Sequence, residues 1–150
     1  MQFKDSIKVT LTVTNGAYTI GDSVGGLLTF SNAVREVGGV ALVHSLKLGG
    51  VVAIPYNLWF LNANLATNAP DLDPFTFVVA DQPKVLGVVP IVATDYIVAG
   101  PSAFYTATVR NIGLQIQAAA ATQDIYAYLV ATAVTAPGTT VLDLTVDFIP

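Results

Sequence analysis

Residues 141–149 read VLDLTVDFI, and this stretch decides the fold. Leu142, Leu144, Val146 and Phe148 fall on one side of an extended chain while Asp143 and Asp147 fall on the other, the signature of a strand with one dry face and one wet face. The same period of two runs through residues 7–14, IKVTLTVT, where Ile7, Val9, Leu11 and Val13 alternate with Lys8, Thr10, Thr12 and Thr14. Asn15-Gly16 follows as a two-residue turn signal. A type I′ hairpin there would set Val13 opposite Tyr18 and Leu11 opposite Ile20, so the reading predicts a hairpin with matching apolar faces.

Between these ends the chain is punctuated at short intervals. Gly21-Asp22 precedes an expected strand over Gly25–Phe30. Gly38-Gly39 opens another, in which Val40, Leu42, His44, Leu46 and Leu48 share a face until Gly49-Gly50 ends it. Tyr56–Leu61 (YNLWFL) is apolar on both faces, as expected of a strand covered on both sides. Asn62–Pro74 (NANLATNAPDLDP) is the one long loop, and Phe75–Ala80 after it fits a short helix or a strand equally. Further strands are predicted at Val85–Ile91, Tyr96–Val98, Ala103–Val109, Ile112–Gln117, Ile125–Val134 and Val141–Ile149. Only the alanines at 118–121 interrupt the β pattern. Nine or ten short strands with almost no helical period predict an all-β, antiparallel β-sandwich in a single domain over residues 1–150. Long strands near both termini favour a jelly-roll-like arrangement over an immunoglobulin sandwich.

Composition narrows the chemistry. Charged residues are 11% of the 150 and hydrophobic ones 53%, against about 25% charged in an ordinary soluble domain. A surface so poor in charge is most easily completed by other subunits, so the composition favours an assembly protein. Mean hydropathy is +0.65, yet no run approaches the roughly 18 consecutive apolar residues of a spanning helix, and no membrane partner is expected. The first five residues, MQFKD, do not read as a secretory signal. Net charge is −4, and the six Lys and Arg residues are scattered, so nucleic acid is not an expected partner. There is no Cys, which removes disulfides and thiolate chemistry together.

The catalytic stock is correspondingly thin, and neither catalysis nor a cofactor is expected. His44, the single histidine, reads as a hydrogen-bonded core residue between Leu42 and Leu46, and no serine sits in a Gly-x-Ser-x-Gly elbow to use it. Asp71 and Asp73, with Asn62, Asn64 and Asn68 nearby, offer oxygen ligands. They lack the glutamate and central glycine of a calcium loop and read as Asx turns. Asp143 and Asp147 are four residues apart on one strand, about 13 Å at the usual rise, beyond the separation of about 5–9 Å that glycoside hydrolysis needs. Trp59, Tyr96, Tyr105, Tyr126 and Tyr128 could stack on sugar rings. Tyr126 and Tyr128 share a strand face and are the candidate carbohydrate or interface aromatics, against the alternative that they belong to the core.

Two stretches carry a resemblance: Gly21–Arg35, GDSVGGLLTFSNAVR, and Leu58–Ile91, LWFLNANLATNAPDLDPFTFVVADQPKVLGVVPI. Together they make up about a third of the chain, and they resemble a group of tailed-phage virion structural proteins. The shared features are a Gly-Asp-x-Val-Gly-Gly start, an apolar strand with an Asn-Ala pair, and an Asp- and Asn-rich loop before a Val-Gly-Val strand. The resemblance implies a jelly-roll cement or decoration protein bound to the major capsid protein on the outside of the phage head, made in the host bacterial cytoplasm, and homo-oligomeric as a dimer or trimer. It implies architectural roles for Gly25 and Gly26 in the strand and for Asn62 and Asp73 in the loop. A head-fibre or tail receptor-binding module that recognises carbohydrate is the alternative within the same group.

Overall fold

The computed structural model of the chain describes residues 4–98, 100–101 and 104–150. Met1–Phe3, part of the N-terminal segment read above, and Ala103, the expected start of one strand, lie outside them. Among the described residues, ten strands form two antiparallel sheets. One sheet runs β1 (Asp5–Thr12), β10 (Val141–Ile149), β3 (Val40–Gly50), β7 (Tyr105–Val109), β6 (Tyr96–Val98), with β8 (Leu114–Gln117) also on β3. The other runs β2 (Ser23–Phe30), β9 (Ile125–Ala131), β4 (Tyr56–Leu61), β5 (Val85–Ile91). Chain neighbours β1, β2, β3 and β4 alternate between the sheets, as do β8, β9 and β10. This wrapping, with the terminal strands side by side, is a jelly-roll-like β-sandwich.

The period-two faces close on each other. Leu144, Val146 and Phe148 from β10 meet Phe30, Leu58, Phe60 and Leu129 of the opposite sheet, and all are almost wholly buried. Phe30 sits at the centre, its ring 5.5 Å from Phe148 and 6.1 Å from Phe60. Tyr56–Leu61 is covered on both sides, as its sequence predicts. Tyr56, Leu58 and Phe60 face this core, while Trp59 and Leu61 face a second cluster beneath residues 62–78. Of the stretch Phe75–Ala80, residues 75–78 take no regular structure, and Val79 then opens a 3-10 helix, Val79–Lys84.

The expected hairpin at Asn15-Gly16 does not form. β1 pairs with β10, β2 pairs with β9, and residues 13–22 carry the chain from one sheet to the other. A type I′ turn needs positive φ at both central residues, and neither Asn15 nor Gly16 has it. Val13 instead donates its N–H to the Thr140 carbonyl, Tyr18 pairs with Thr135, and Ile20 is left 69% exposed. The local turn signal loses to the long-range ladder with β10.

His44 is also displaced from its expected place. The ladder between β3 and β10 shifts register, with Ser45 opposite Asp147 but Val43 opposite Phe148. His44 is the extra residue of this β-bulge. Ala41 and Val43 point inward before it and Leu46 and Leu48 after it, so Val40, Leu42 and His44 do not share the face of Leu46. His44 is half-buried and faces outward, not into the core.

Gly25 and Gly26 occupy a second bulge, between Val24 and Leu27, with φ of +79° and +70°. A Cβ on Gly25 would stand 3.0 Å from the Leu11 side chain, and one on Gly26 would meet the Asp71 backbone at 3.6 Å, an ordinary contact. Both positions take left-handed backbone, the condition that selects glycine, and Gly25 adds a close approach to Leu11. Gly25→Ala is expected to destabilise the fold by about 1–3 kcal/mol, read as a lower denaturant midpoint with unchanged m-value.

Candidate functional site

The two sheets present outer faces of opposite character. On the β2-β9-β4-β5 sheet the register sets Tyr128 opposite Leu27 and Trp59, and Trp59 opposite Val88. Residues 62–78 fold over part of this face. Tyr128 lies beneath them, wholly buried, its hydroxyl donating to the Asn64 carboxamide oxygen at 2.7 Å and lying 3.0 Å from that of Asn68. Tyr128 is therefore no exposed platform for a sugar, contrary to the pairing of Tyr126 and Tyr128 expected above. Tyr126 is half-buried beside it.

On this face the loop adds two further aromatics. Phe75 and Phe77 pack tilted against Trp59 with centroids 5.5 and 5.1 Å away and meet each other edge-on at 4.7 Å. Phe77, Val78, Val79 and Val88 remain exposed, Val79 at 83%. Cross-strand pairing puts Val88 beside Trp59, and chain continuity puts Val78 and Val79 beside Phe77. The result is a contiguous apolar patch on a rigid aromatic base. The sequence points to Trp59 but not to the patch, because Phe75–Ala80 fits a helix or a strand equally and neither fixes where Phe75 and Phe77 lie.

The loop is held by two carboxylates. Asp71 accepts hydrogen bonds from the Thr14 N–H and hydroxyl, both at 2.8 Å, and from the Tyr18 hydroxyl and the Gly25 N–H, both at 2.6 Å. Burial pushes its pKa up, but the bonds from Tyr18, Gly25 and Thr14 outweigh this and hold the carboxyl below its ordinary value. Asp81, buried, accepts from Lys84 at 2.8 Å and from the Ala66 and Val78 N–H groups. Lys84 leads the causes that lower its pKa. Asp73 acts through its backbone, its carbonyl accepting the Ser23 N–H at 2.8 Å, and Asn62 donates its N–H to the Lys84 carbonyl at 3.0 Å. Gly25, Gly26 and Asp73 thus sit in one unit that joins β2 to the loop, while Asn62 ties the start of the loop to Lys84. The proposed oxygen ligands do not converge, for Asp71 faces Thr14 and Tyr18 while Asn64 and Asn68 face Tyr128.

The outer face of the other sheet is polar. Asp147 accepts from Lys4 at 2.6 Å and from the hydroxyls of Ser6 and Ser45. Burial raises its pKa, and Lys4, Ser45 and Ser6 overcome this to lower it. Asp143 accepts from Thr10 at 2.9 Å and pairs with Lys8 at 3.3 Å. His44 and Ser45 line one groove with Asp147, yet both nearby serine hydroxyls donate to the carboxylate. Among the described residues no hydrogen bond joins His44 to a serine, so the three do not form a nucleophile–base relay.

Tyr96 and Tyr105 belong to β6 and β7 and are half-buried, Tyr96 donating to the Ile54 carbonyl at 2.7 Å. No helix among the described residues is long and apolar enough to cross a membrane. No model of a known protein family matches this chain, and no curated protein matches it in sequence.

Proposed function

We propose that this protein is a bacteriophage capsid cement or decoration protein that binds the assembled major capsid protein on the outside of the head and stabilises the shell without catalysing a reaction. The observation that carries the reading is the apolar patch of Phe77, Val78, Val79 and Val88 on its Trp59 base. A solvated monomer gains nothing from such a surface, whereas a protein that must adhere to a lattice gains a desolvated anchor. The scaffold suits that work. A jelly roll presents broad, stiff faces, and the sparse charge of the chain lowers the cost of covering them. The two stretches that resemble phage virion proteins also meet in space. Gly26 lies against Pro70 and Asp71, and Ser23 bonds to Leu72 and Asp73, so the resemblance falls on the unit that supports the patch. Binding across several coat subunits, helped by homo-oligomerisation, would multiply a modest contact into a strong one.

The test compares heads stripped of this protein with decorated heads in a thermal or osmotic challenge. Decorated heads are expected to retain DNA to higher temperature, and equal loss from both would sink the proposal. The alternative in which Tyr126 and Tyr128 together grip a glycan finds no support in the geometry of Tyr128.

A further inference from the structure

The polar face of the β1-β10-β3-β7 sheet carries a built groove of about 560 Å³, lined in part by Lys4, His44, Lys47, Arg110, Asn111 and Asp147. Two irregular backbone features make its wall. The β3 bulge turns both His44 and Ser45 toward the groove, and the turn after β7 passes through Asn111 at φ +56°. The features are tied together: Ile112 donates its N–H to the His44 carbonyl at 3.0 Å and Gly113 to that of Val43 at 3.1 Å. A bulge bonded to a left-handed turn is an arrangement that re-aims side chains, and here it aims His44 and Arg110 at one space.

The floor is a grid fixed by register. Lys8, Thr145, Lys47 and Thr108 form one row across the four strands, and Ser6, Asp147 and Ser45 lie in the next. A smaller depression shares Lys47 and Thr145 and ends on Phe104, which is 49% exposed with its ring over Gly49. Four of the six Lys and Arg residues (Lys4, Lys8, Lys47, Arg110) belong to this face, with only Asp143 and Asp147 of the ten acids. The face is net positive on a protein of net charge −4. Lys4 and Lys8 are paired with those two aspartates. Lys47 and Arg110 form no ion pair among the described residues.

We propose that this groove binds a carboxylated saccharide. Arg110 and Lys47 pair with the carboxylate, the Ser and Thr hydroxyls with Asp147 and Asn111 bind ring hydroxyls, and Phe104 supplies a face for a neighbouring sugar ring. The mixture of groups selects this class. Two unpaired cations match sparse negative charge, and the aspartates standing among the lysines oppose a dense polyphosphate. Strands β10, β3 and β7 are paired on both sides, so an acidic peptide could add as a strand only at the β1 edge, away from Lys47 and Arg110, and the polar floor offers no apolar pockets for its side chains. The site lies on a different face from the apolar patch and does not depend on the capsid reading.

Titration calorimetry on the whole protein tests it, using galacturonate, hyaluronan-type and oligosialate oligosaccharides beside methyl-esterified galacturonate, hexaglutamate and a short oligonucleotide. At least one carboxylated saccharide is expected to bind, with the esterified form weaker by roughly tenfold or more, one ion contact's worth. Lys47→Gln/Arg110→Gln is expected to lose binding by a similar or larger factor, with Phe104→Ala weakening it further. Val79→Asp, in the 3-10 helix of the apolar patch, should leave it unchanged. Failure of all three saccharides, equal binding of hexaglutamate or the oligonucleotide, or undiminished binding by the Lys47/Arg110 variant would each overturn the assignment.

Discussion

Val79→Asp/Val88→Asp is expected to fold as the parent does and to lose adhesion to phage heads by about 100-fold or more. Val79 is 83% exposed and Val88 38%, so both changes fall on surface that the isolated protein already offers to water. Substitutions at such positions typically move stability by no more than about 0.5–1 kcal/mol. In a docked interface the same carboxylates would be desolvated against apolar contacts on the Trp59 base. Central apolar anchors contribute about 2 kcal/mol or more each when lost, and an unpaired buried charge adds to that cost. Co-sedimentation of the variant with stripped heads reads the effect, beside a thermal melt to show that the fold survives. Retained adhesion would move the contact surface elsewhere on the molecule.

Asp71→Asn is expected to lower stability by about 2–4 kcal/mol, the worth of several hydrogen bonds to a charged acceptor. For a chain of this size that is roughly 6–12 °C in Tm. One carboxylate here ties together the sheet crossover at Thr14 and Tyr18, the β2 bulge at Gly25 and the loop that bears the apolar patch. The amide keeps the shape but turns one acceptor into a donor that faces other donors. The pH dependence has a definite sign. The folded-state pKa values of Asp71, Asp81 and Asp147 are all depressed, so the stability they contribute is fully present above the unfolded carboxyl value near 3.8. It is lost as pH falls through the lower folded values. The parent should therefore hold its stability from neutrality down to about pH 5 and weaken progressively below about pH 4. In the Asn variant the slope of stability against pH should be shallower, because one of the three protons no longer matters. An unchanged slope with lowered stability would assign Asp71 a steric role only.

Strand positions were legible because burial on a sandwich face writes itself into residues two apart. Val85–Ile91, Tyr96–Val98 and Val141–Ile149 fall where the pattern puts them, and the two-sided coverage of Tyr56–Leu61 follows from its unbroken apolar run. Two failures have one origin, the priority of long-range pairing over local signals. Asn15-Gly16 favours a tight hairpin by itself, yet β1 gains a full eight-residue ladder with β10 and the turn opens into a crossover. The face of β3 reads as continuous through His44, but the extra residue in its ladder with β10 reverses the alternation there. No pattern within one strand reports a bulge in its pairing with another. Tyr128 illustrates the same limit from the side of the functional surface. Its strand offers it to an outer face, and only the return of Asn64 and Asn68 across that face buries it. The apolar patch was hidden for that reason too, since Phe75 and Phe77 acquire meaning only when the loop lays them on Trp59.

The measurement that bears most directly on the central claim is the number of copies of this chain per purified virion, by quantitative mass spectrometry against the major capsid protein. A capsid cement protein is expected at the same order of abundance as the coat. A handful of copies per particle would place the chain on a tail or fibre, and its absence from particles would contradict the account outright.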